Sequence, residues 1–175
     1  MTSRLSSYHA CEILPGGQRL HLRAIRPSDR DRLHEEFLKL SKATVRDRFF
    51  AIKLDLTPRE LSYLTEVDFV NHVALVAELE TDSGLRPVGV GRLVRKSGRP
   101  DHSEIAITVV DAMQGKGIGK VMLDRLIDCA RELGVRHVDA SVLAENTRML
   151  KLVARTGLKF ESSLEEGIRT ISFSL

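Results

Sequence analysis

Gln114-Gly115-Lys116-Gly117-Ile118-Gly119-Lys120 is the most informative stretch of this sequence. It lies between an alternating apolar run, 104–110, and an amphipathic run, 121–133, so its three glycines and terminal lysine fall at a predicted strand-to-helix junction. Glycine lets backbone N–H groups turn toward one point and approach a ligand closely. The first turn of the following helix adds unpaired donors and a positive dipole end. The stretch therefore predicts an anion cradle, and the anion expected is a pyrophosphate.

Two familiar phosphate-binding motifs do not fit this stretch. A P-loop requires G-x-x-x-x-G-K followed by Ser or Thr, but Gln114 stands at the first glycine and Val121 at the hydroxyl position. The dinucleotide fingerprint G-x-G-x-x-G requires a glycine where this chain has Lys120. That fingerprint also follows the first strand of its unit, whereas several predicted strands precede this loop. A magnesium-bound nucleotide and a dinucleotide are both disfavoured.

Length and composition indicate one globular domain. The chain has 175 residues, of which 42% are hydrophobic and 29% charged, and no apolar run approaches the ~20 residues of a membrane span. A net charge of +3 suits an anionic cofactor but is too weak to argue for nucleic acid. Cys11 and Cys129 lie in no motif and are expected to be free thiols in a reducing cytoplasm. No spacing of His, Cys and Asp predicts a metal site.

Periodicity and capping signals predict a mixed α/β chain. Residues 1–18 are predicted to be a poorly specified arm and 19–175 a single domain. Strands are expected near 20–25, 73–79, 87–94, 104–110, 137–143 and 168–173, and helices near 28–40, 43–50, from 57, 117–133 and 146–156. The helix start at Thr57-Pro58-Arg59-Glu60 is strongly signalled, with an N-cap Thr, Pro first and Glu third. Ser28 with Asp31 resembles a capping box.

The pattern that remains, Q-x-x-G-x-G after an antiparallel strand, resembles the GNAT superfamily of acyl-CoA-dependent N-acetyltransferases. The central motif of that family is matched by Gln114, Gly117 and Gly119. The resemblance implies that coenzyme A pyrophosphate is held by backbone amides of Gln114, Gly115, Lys116, Gly117, Ile118, Gly119 and Lys120. Taken alone, the loop is equally compatible with a plain glycine-rich turn.

Downstream residues extend the resemblance to about residues 20–175. A predicted strand leads to Asn146, and a helix then ends at Gly157-Leu158, where the family usually has Gly-Phe. The resemblance implies that Asn146 contacts the pantetheine arm, although Asn at a helix start is also an ordinary N-cap. It further implies the GNAT fold, a mixed and mostly antiparallel central sheet of six to seven strands flanked by helices. In that fold a splayed strand pair binds acyl-CoA.

The strand 104–110 carries the implied chemistry. By resemblance, the N–H of Val109 stabilises charge on the thioester carbonyl and Val110 contacts pantetheine, although both side chains are also compatible with plain core. Glu104 resembles the general base in the catalytic domain of bacterial protein-lysine acetyltransferases. The alternative interpretation is that Glu104 ends a strand, faces solvent and has no chemical role. A base is needed because an ammonium with pKa ~10.4 is not a nucleophile. Val153 stands where many members have a Tyr that protonates the departing thiolate.

These observations predict an enzyme that moves an acetyl group from acetyl-CoA to a primary amine by direct attack in a ternary complex. A protein lysine is the favoured acceptor, with a small amine or amino acid as the alternative. A non-catalytic acyl-CoA-binding sensor is a second class, which would not need Glu104. Arg46, Arg48 and Lys53 would face an acidic substrate or form a solvated helix face. The chain is expected to be cytoplasmic, to bind neither nucleic acid nor membrane, and to be compatible with a homodimer.

Overall fold

One eight-stranded sheet forms the centre of the molecule, and the computed structural model describes residues 3–175. The strands are β1 (His9–Ile13), β2 (Arg19–Ala24), β3 (His72–Thr81), β4 (Gly84–Lys96), β5 (Arg99–Val109), β6 (His137–Leu143), β7 (Phe160–Glu165) and β8 (Ile168–Ser174). Across the sheet they lie in the order β1-β2-β3-β4-β5-β6-β8-β7. Every neighbouring pair is antiparallel except β5 and β6, which are parallel. The predicted mixed, mostly antiparallel sheet is therefore confirmed.

Five helices flank this sheet. They are α1 (Arg30–Leu38), α2 (Lys42–Phe49), α3 (Pro58–Thr65), α4 (Ile118–Glu132) and α5 (Thr147–Ala154). The strongly signalled start of α3 is confirmed, because Thr57 and Glu60 form a reciprocal capping box. The box expected at Ser28 is wrong, because Asp29 accepts the hydrogen bond from the Arg26 backbone N–H instead. No helix in the described part of the chain is long and apolar enough to cross a membrane.

The strand count of six to seven is too low, and the two additional strands lie at the sheet edges. In the expected arm, β1 pairs with β2 from His9↔Arg23 to Ile13↔Arg19, and the buried Leu5 and Leu14 anchor its two ends. At the other edge all six residues of β7 are exposed. Such a strand lacks the alternation of buried and exposed side chains from which a strand is predicted in a sequence.

Helix α4 packs closely against one face of the sheet because β4 carries glycines beneath it. A Cβ at Gly91 would lie 2.7 Å from Leu126 Cδ1, and one at Gly89 would lie 2.9 Å from the carbonyl oxygen of Thr108. Larger residues would push the helix away from the strand. The buried side of α4 includes Met122, which is fully enclosed.

Helices α1 to α3 cover the opposite face through a smaller apolar cluster of Phe37, Val45, Leu56, Leu61 and Leu64. Strand alternation decides which strand residues lie beneath these helices. Because Gly91 faces α4, its neighbour Arg92 faces α1 to α3. Register partners share a face, so Ala106, opposite Arg92, and Glu104, opposite Val94, also lie on this side. The same face thus carries both the candidate base and a buried arginine.

Candidate active site

The site is built around a gap between the parallel strands β5 and β6. They pair only at His102↔His137, Ser103↔Val138 and Glu104↔Asp139. Beyond Glu104 each strand follows its other neighbour, β5 to Val109 beside β4 and β6 to Leu143 beside β8. The gap opens into a cleft of about 520 Å³, which the glycine loop, α2 and α5 also border. The predicted splayed strand pair is confirmed.

Backbone N–H groups of β5 point into this gap. The N–H of Val110 donates to the carbonyl oxygen of Val88 on β4 at 2.9 Å. Successive residues of a strand direct their N–H groups to opposite sides, so those of Val109 and Ile107 point away from β4 toward the diverging β6. Ile107 was not singled out from the sequence, although strand alternation from Val109 would have found it. These two N–H groups form a row of donors along one wall of the cleft.

The glycine loop begins the opposite wall and leads directly into α4. Gly115 and Gly117 have φ of 78° and 92°, a left-handed conformation that side chains disfavour. The first backbone bond of the helix runs from Val121 N to the Gly117 carbonyl oxygen at 3.2 Å. The preceding N–H groups, up to Lys120, therefore have no partner within the helix. This is the backbone geometry on which the predicted anion cradle depends.

The side chain of Gln114 holds the loop against the strand instead of facing the cleft. Its Nε2 donates to the carbonyl oxygen of Val109 at 3.0 Å and to Thr44 Oγ1 at 3.1 Å. Its Oε1 accepts from the Arg148 guanidinium. The glutamine of the motif thus joins the end of β5, α2 and α5. Its backbone N–H donates to the carbonyl oxygen of Asp111 at 3.3 Å, so this predicted phosphate donor is already engaged.

The other predicted cofactor residues differ in how they meet the cleft. Gly119 and Lys120 border it, and the Lys120 ammonium also pairs with Asp124 at 2.6 Å. Ile118 is buried in the core, and Lys116 lies 3.6 Å from Met113 Sδ outside the cleft. Both can contribute only through their backbone. Val110 lines a separate, smaller cavity next to the cleft.

Asn146 borders the cleft at the start of α5. Its side chain accepts a hydrogen bond from Met149 N at 3.1 Å, so the N-cap interpretation is confirmed. The same helix presents Arg148, Lys151 and Arg155 to the cleft. These cations were not predicted from the sequence, because they carry no motif beyond their recurrence on one side of a short helix. Together with Lys120 they give this end of the cleft a positive potential suited to phosphate.

Three carboxylates border the cleft: Glu104, Asp47 and Asp111. Asp111 accepts hydrogen bonds from Ser41 N at 2.9 Å, Ser41 Oγ at 2.6 Å and Thr44 Oγ1 at 2.7 Å. Burial acts to raise the pKa of Asp111, but these hydrogen bonds outweigh it and lower the pKa. Asp111 is therefore a structural acceptor that attaches α2 to the end of β5.

Glu104 and Asp47 remain as candidate bases. Glu104 is exposed at the point where β5 and β6 separate, and its charge opposes the lowering by burial of the Arg48 pKa. Asp47 lies on α2 near Arg46 and Arg148, and burial raises its pKa. No Cys, His or Tyr from residues 3–175 lines the cleft.

Other side chains suited to acid–base chemistry, and the residue at the usual tyrosine position, lie outside the cleft lining. His102 and His137 stack at the paired end of β5 and β6, with ring centroids 4.5 Å apart. Val153, in the position of the usual tyrosine, is 1% exposed and belongs to the core. Tyr8 packs against the main core, and burial raises its pKa to about 12. Among residues 3–175, no group of three or more His, Cys, Asp and Glu side chains is placed to hold a metal ion.

The chain matches the family model described as an acetyltransferase (GNAT) domain over residues 19–159. An acetyltransferase from Pseudomonas aeruginosa is 30% identical over 163 residues, which cover 93% of this chain and 87% of that protein. Acetyltransferase Pat of Mycolicibacterium smegmatis is 34% identical over 142 residues, 81% of this chain but only 41% of that protein. The solved GNAT domain of S. lividans PAT superposes with a TM-score of 0.86 and 30% identity, covering 95% of this chain and 97% of that domain.

Proposed function

Because the chain belongs to the GNAT acetyltransferase family, we propose that it acetylates a primary amine of a protein lysine, with Glu104 as the general base. Acetyl-CoA is the acetyl donor of this family. The proposal also takes residues 19–175 as one acetyltransferase domain, to whose sheet residues 9–13 of the expected arm add an edge strand. The observation that carries it is the cleft itself. Its wall of inward N–H groups on β5 leads from the exposed Glu104 to a glycine loop and a basic helix.

The cleft fits acetyl-CoA in shape and in polarity. The unpaired stretch of β5 offers the N–H groups of Ile107 and Val109 to the thioester and pantetheine carbonyls. The N–H groups from Gly115 to Lys120 would hold the pyrophosphate. Arg148, Lys151 and Arg155 supply countercharge for the phosphates, and the Asn146 side chain would contact the pantetheine arm. When bound, acetyl-CoA supplies an activated acetyl group on a good leaving group.

In the proposed reaction Glu104 takes a proton from the acceptor ammonium, and the free amine attacks the thioester carbonyl carbon. A C–N bond forms, the C–S bond breaks with its electron pair going to sulfur, and the second proton that the attacking nitrogen loses passes through water to the departing sulfur. The β5 N–H groups stabilise the charge that develops on the carbonyl oxygen. An extended strand rises about 3.3 Å per residue, so along β5 Glu104 is about 10 Å from Ile107 and about 17 Å from Val109. Proton transfer through water is therefore expected.

Glu104 is favoured over Asp47 by its surroundings. It lies on the strand that carries the inward N–H groups and on the face that an acceptor would approach between α2 and α3. Asp47 lies toward the α5 side, near Arg148, where the phosphates are expected. The absence of Cys, His and Tyr from the described lining supports direct transfer without an acetylated enzyme. Because no Tyr lines the described cleft, the CoA thiolate is also expected to leave without being protonated by a tyrosine.

A protein acceptor is supported by the surface around Glu104 and by the similarity to the Pat domains. Phe50 lines the cleft and is 39% exposed, and Ile52 and Leu54, which follow it in the chain, are 87% and 79% exposed. Exposed apolar side chains next to a catalytic cleft are typical of a surface that receives another protein.

The test is acetyl transfer from acetyl-CoA to lysine-containing peptides, free amino acids and polyamines, with the native chain and Glu104→Gln compared. Turnover on lysine peptides that falls in the variant, with unchanged CoA binding, is the expected result. Full turnover in Glu104→Gln would remove the assignment of the base. Tight acetyl-CoA binding without transfer to any acceptor would instead favour a sensor module.

A further inference from the structure

A second cavity, of about 90 Å³, lies between helices α1 to α3 and the sheet, and adjoins the cleft. Arg48 and Thr108 line both spaces. Most of its wall is apolar, formed by Ile25, Leu33, Phe37, Leu56, Leu64 and Val76. Four arginines also reach it: Arg23, Arg32, Arg48 and Arg92.

Two of these arginines are already neutralised. Arg23 donates two hydrogen bonds of 2.8 Å to Asp29, and it also binds Glu78 at 2.9 and 3.0 Å. Arg32 donates to Glu78 at 3.2 Å. Glu36, the remaining acid on the wall, pairs with Lys39 at 2.8 Å. The carboxylates that line the cavity are thus engaged elsewhere.

Arg48 and Arg92 form no ion pair of this kind, although the charge of Glu104 acts on Arg48. Within residues 3–175, no carboxylate oxygen lies within 4.0 Å of either guanidinium. Arg92 is only 5% exposed, and its side-chain hydrogen bond runs from Nη1 to His72 Nε2 at 3.2 Å. Because Nε2 accepts that bond, His72 is neutral and contributes no negative charge. Burial and the nearby charge of Arg48 lower the pKa of Arg92 to about 9, which leaves it positive at neutral pH.

A buried cation without a counterion is costly to a fold. Here the cation points into an apolar cavity that opens onto a reaction cleft. The shared residue Thr108 lies between Ile107 and Val109, whose N–H groups face the acetyl donor. An amine at Thr108 would therefore be next to the thioester, while the rest of the acceptor extended toward Arg48 and Arg92.

We propose that Arg48 and Arg92 form a carboxylate-binding site for the acceptor, so that the preferred amines carry a carboxylate joined through a short aliphatic segment. The role of this site rests on the proposed acetyl transfer, but carboxylate binding at the site can be measured without any acetyl transfer. Two sources supply this chemistry: the carboxylate of a free amino acid, and an Asp or Glu side chain beside the lysine of a peptide.

The binding test uses propionate and propionamide, which match in shape and differ in charge. Propionate, but not propionamide at equal ionic strength, should raise the Tm of the native chain and compete with the acceptor but not with acetyl-CoA. Arg92→Met should abolish both effects and raise the Tm in the absence of ligand, since it removes an uncompensated buried charge. A merely structural Arg92 would give a lower Tm instead. Arg48→Met is the second variant if Arg92→Met does not fold.

The kinetic test distinguishes the two sources. One arm compares free amino acids with their carboxamides, and the other compares lysine peptides that carry Glu or Gln beside the lysine. A preference of about tenfold or more in kcat/KM for the carboxylate member of either pair, reduced to near unity in Arg92→Met, is expected. Equal kcat/KM within both pairs, or no Tm response to propionate, overturns the site. Propionate binding without transfer to any amine would overturn the proposed function and leave the site intact.

Discussion

The side-chain amide of Gln114 donates to the carbonyl oxygen of Val109 at 3.0 Å. The hydrogen bond joins the first residue of the glycine loop to the last residue of β5, whose N–H faces the gap. Because the peptide planes on both sides of Val109 are fixed by β4 and by Gln114, the donors at the two ends of the cleft keep a constant separation. We therefore expect the side chain of Gln114 to act by positioning the loop against β5.

We expect Gln114→Ala to lose this fixed separation. It removes hydrogen bonds to Val109, Thr44 and Arg148, so the free energy of unfolding should fall by about 1–2 kcal/mol. The KM for acetyl-CoA should rise about tenfold, because the donors lose their common orientation. Urea denaturation and steady-state kinetics measure the two effects. Gln18→Ala, at an exposed position, should change neither, and an equal effect at both sites would contradict the role of Gln114.

Substitution of the loop glycines should impair donor binding. Gly117 has φ of 92°, so Gly117→Ala is strained by about 1 kcal/mol. At Gly119 a Cβ would lie 3.3 Å from Leu152 Cδ2 and press on α5. Isothermal titration with CoA should give a Kd at least several-fold higher for either variant. Gly16→Ala, where nothing lies within 4 Å of the added Cβ, should bind CoA like the native chain.

Glu104→Gln should lower kcat by about 10²- to 10⁴-fold, the usual contribution of a general base. The Kd for CoA should stay the same, because the exposed carboxylate lies away from the cradle. Asp47→Asn is the matched control, and it should retain kcat within about twofold. If Asp47→Asn lowers kcat more than Glu104→Gln does, Asp47 and not Glu104 is the general base.

Stability should fall as the medium becomes mildly acidic because of His72. Burial, and then the charge of Arg92, lower its pKa from 6.5 to about 4. The unfolded chain therefore binds a proton between these values while the folded chain does not, so stability is full above about pH 6.5 and decreases toward pH 4. Near pH 5 the loss is about 2 kcal/mol. Denaturation at pH 7.5 and 5 should show it.

In His72→Gln this acid-dependent loss should largely disappear, since the amide oxygen can accept from Arg92 without titrating. His9→Gln, at an exposed histidine, should keep the loss. The same pH dependence in native chain and His72→Gln would assign the effect to another group.

The sequence predicted the parts whose signals are local. The capping residues Thr57 and Asn146 depend on a few neighbouring positions, and the glycine loop depends on backbone conformation. Strand β7 was missed because none of its residues is buried. Arg92 was missed for the opposite reason: in Val90-Gly91-Arg92-Leu93 it occupies a polar position that alternation assigns to solvent, but α1 to α3 cover that face. Contacts set by helix packing leave no trace in strand periodicity.

The separation of β5 and β6 also divides the sheet into two hydrogen-bonded units, which share one apolar core. Strands β1 to β5 share continuous antiparallel ladders, whereas β6, β7 and β8 join them edge to edge through three residue pairs. An acetyl donor in the gap would supply hydrogen bonds between the units that the chain itself does not make. We therefore expect donor occupancy to slow amide hydrogen exchange in 138–143 and 168–174 more than in β3 and β4. The co-substrate would then be a structural component of the enzyme as well as a reactant.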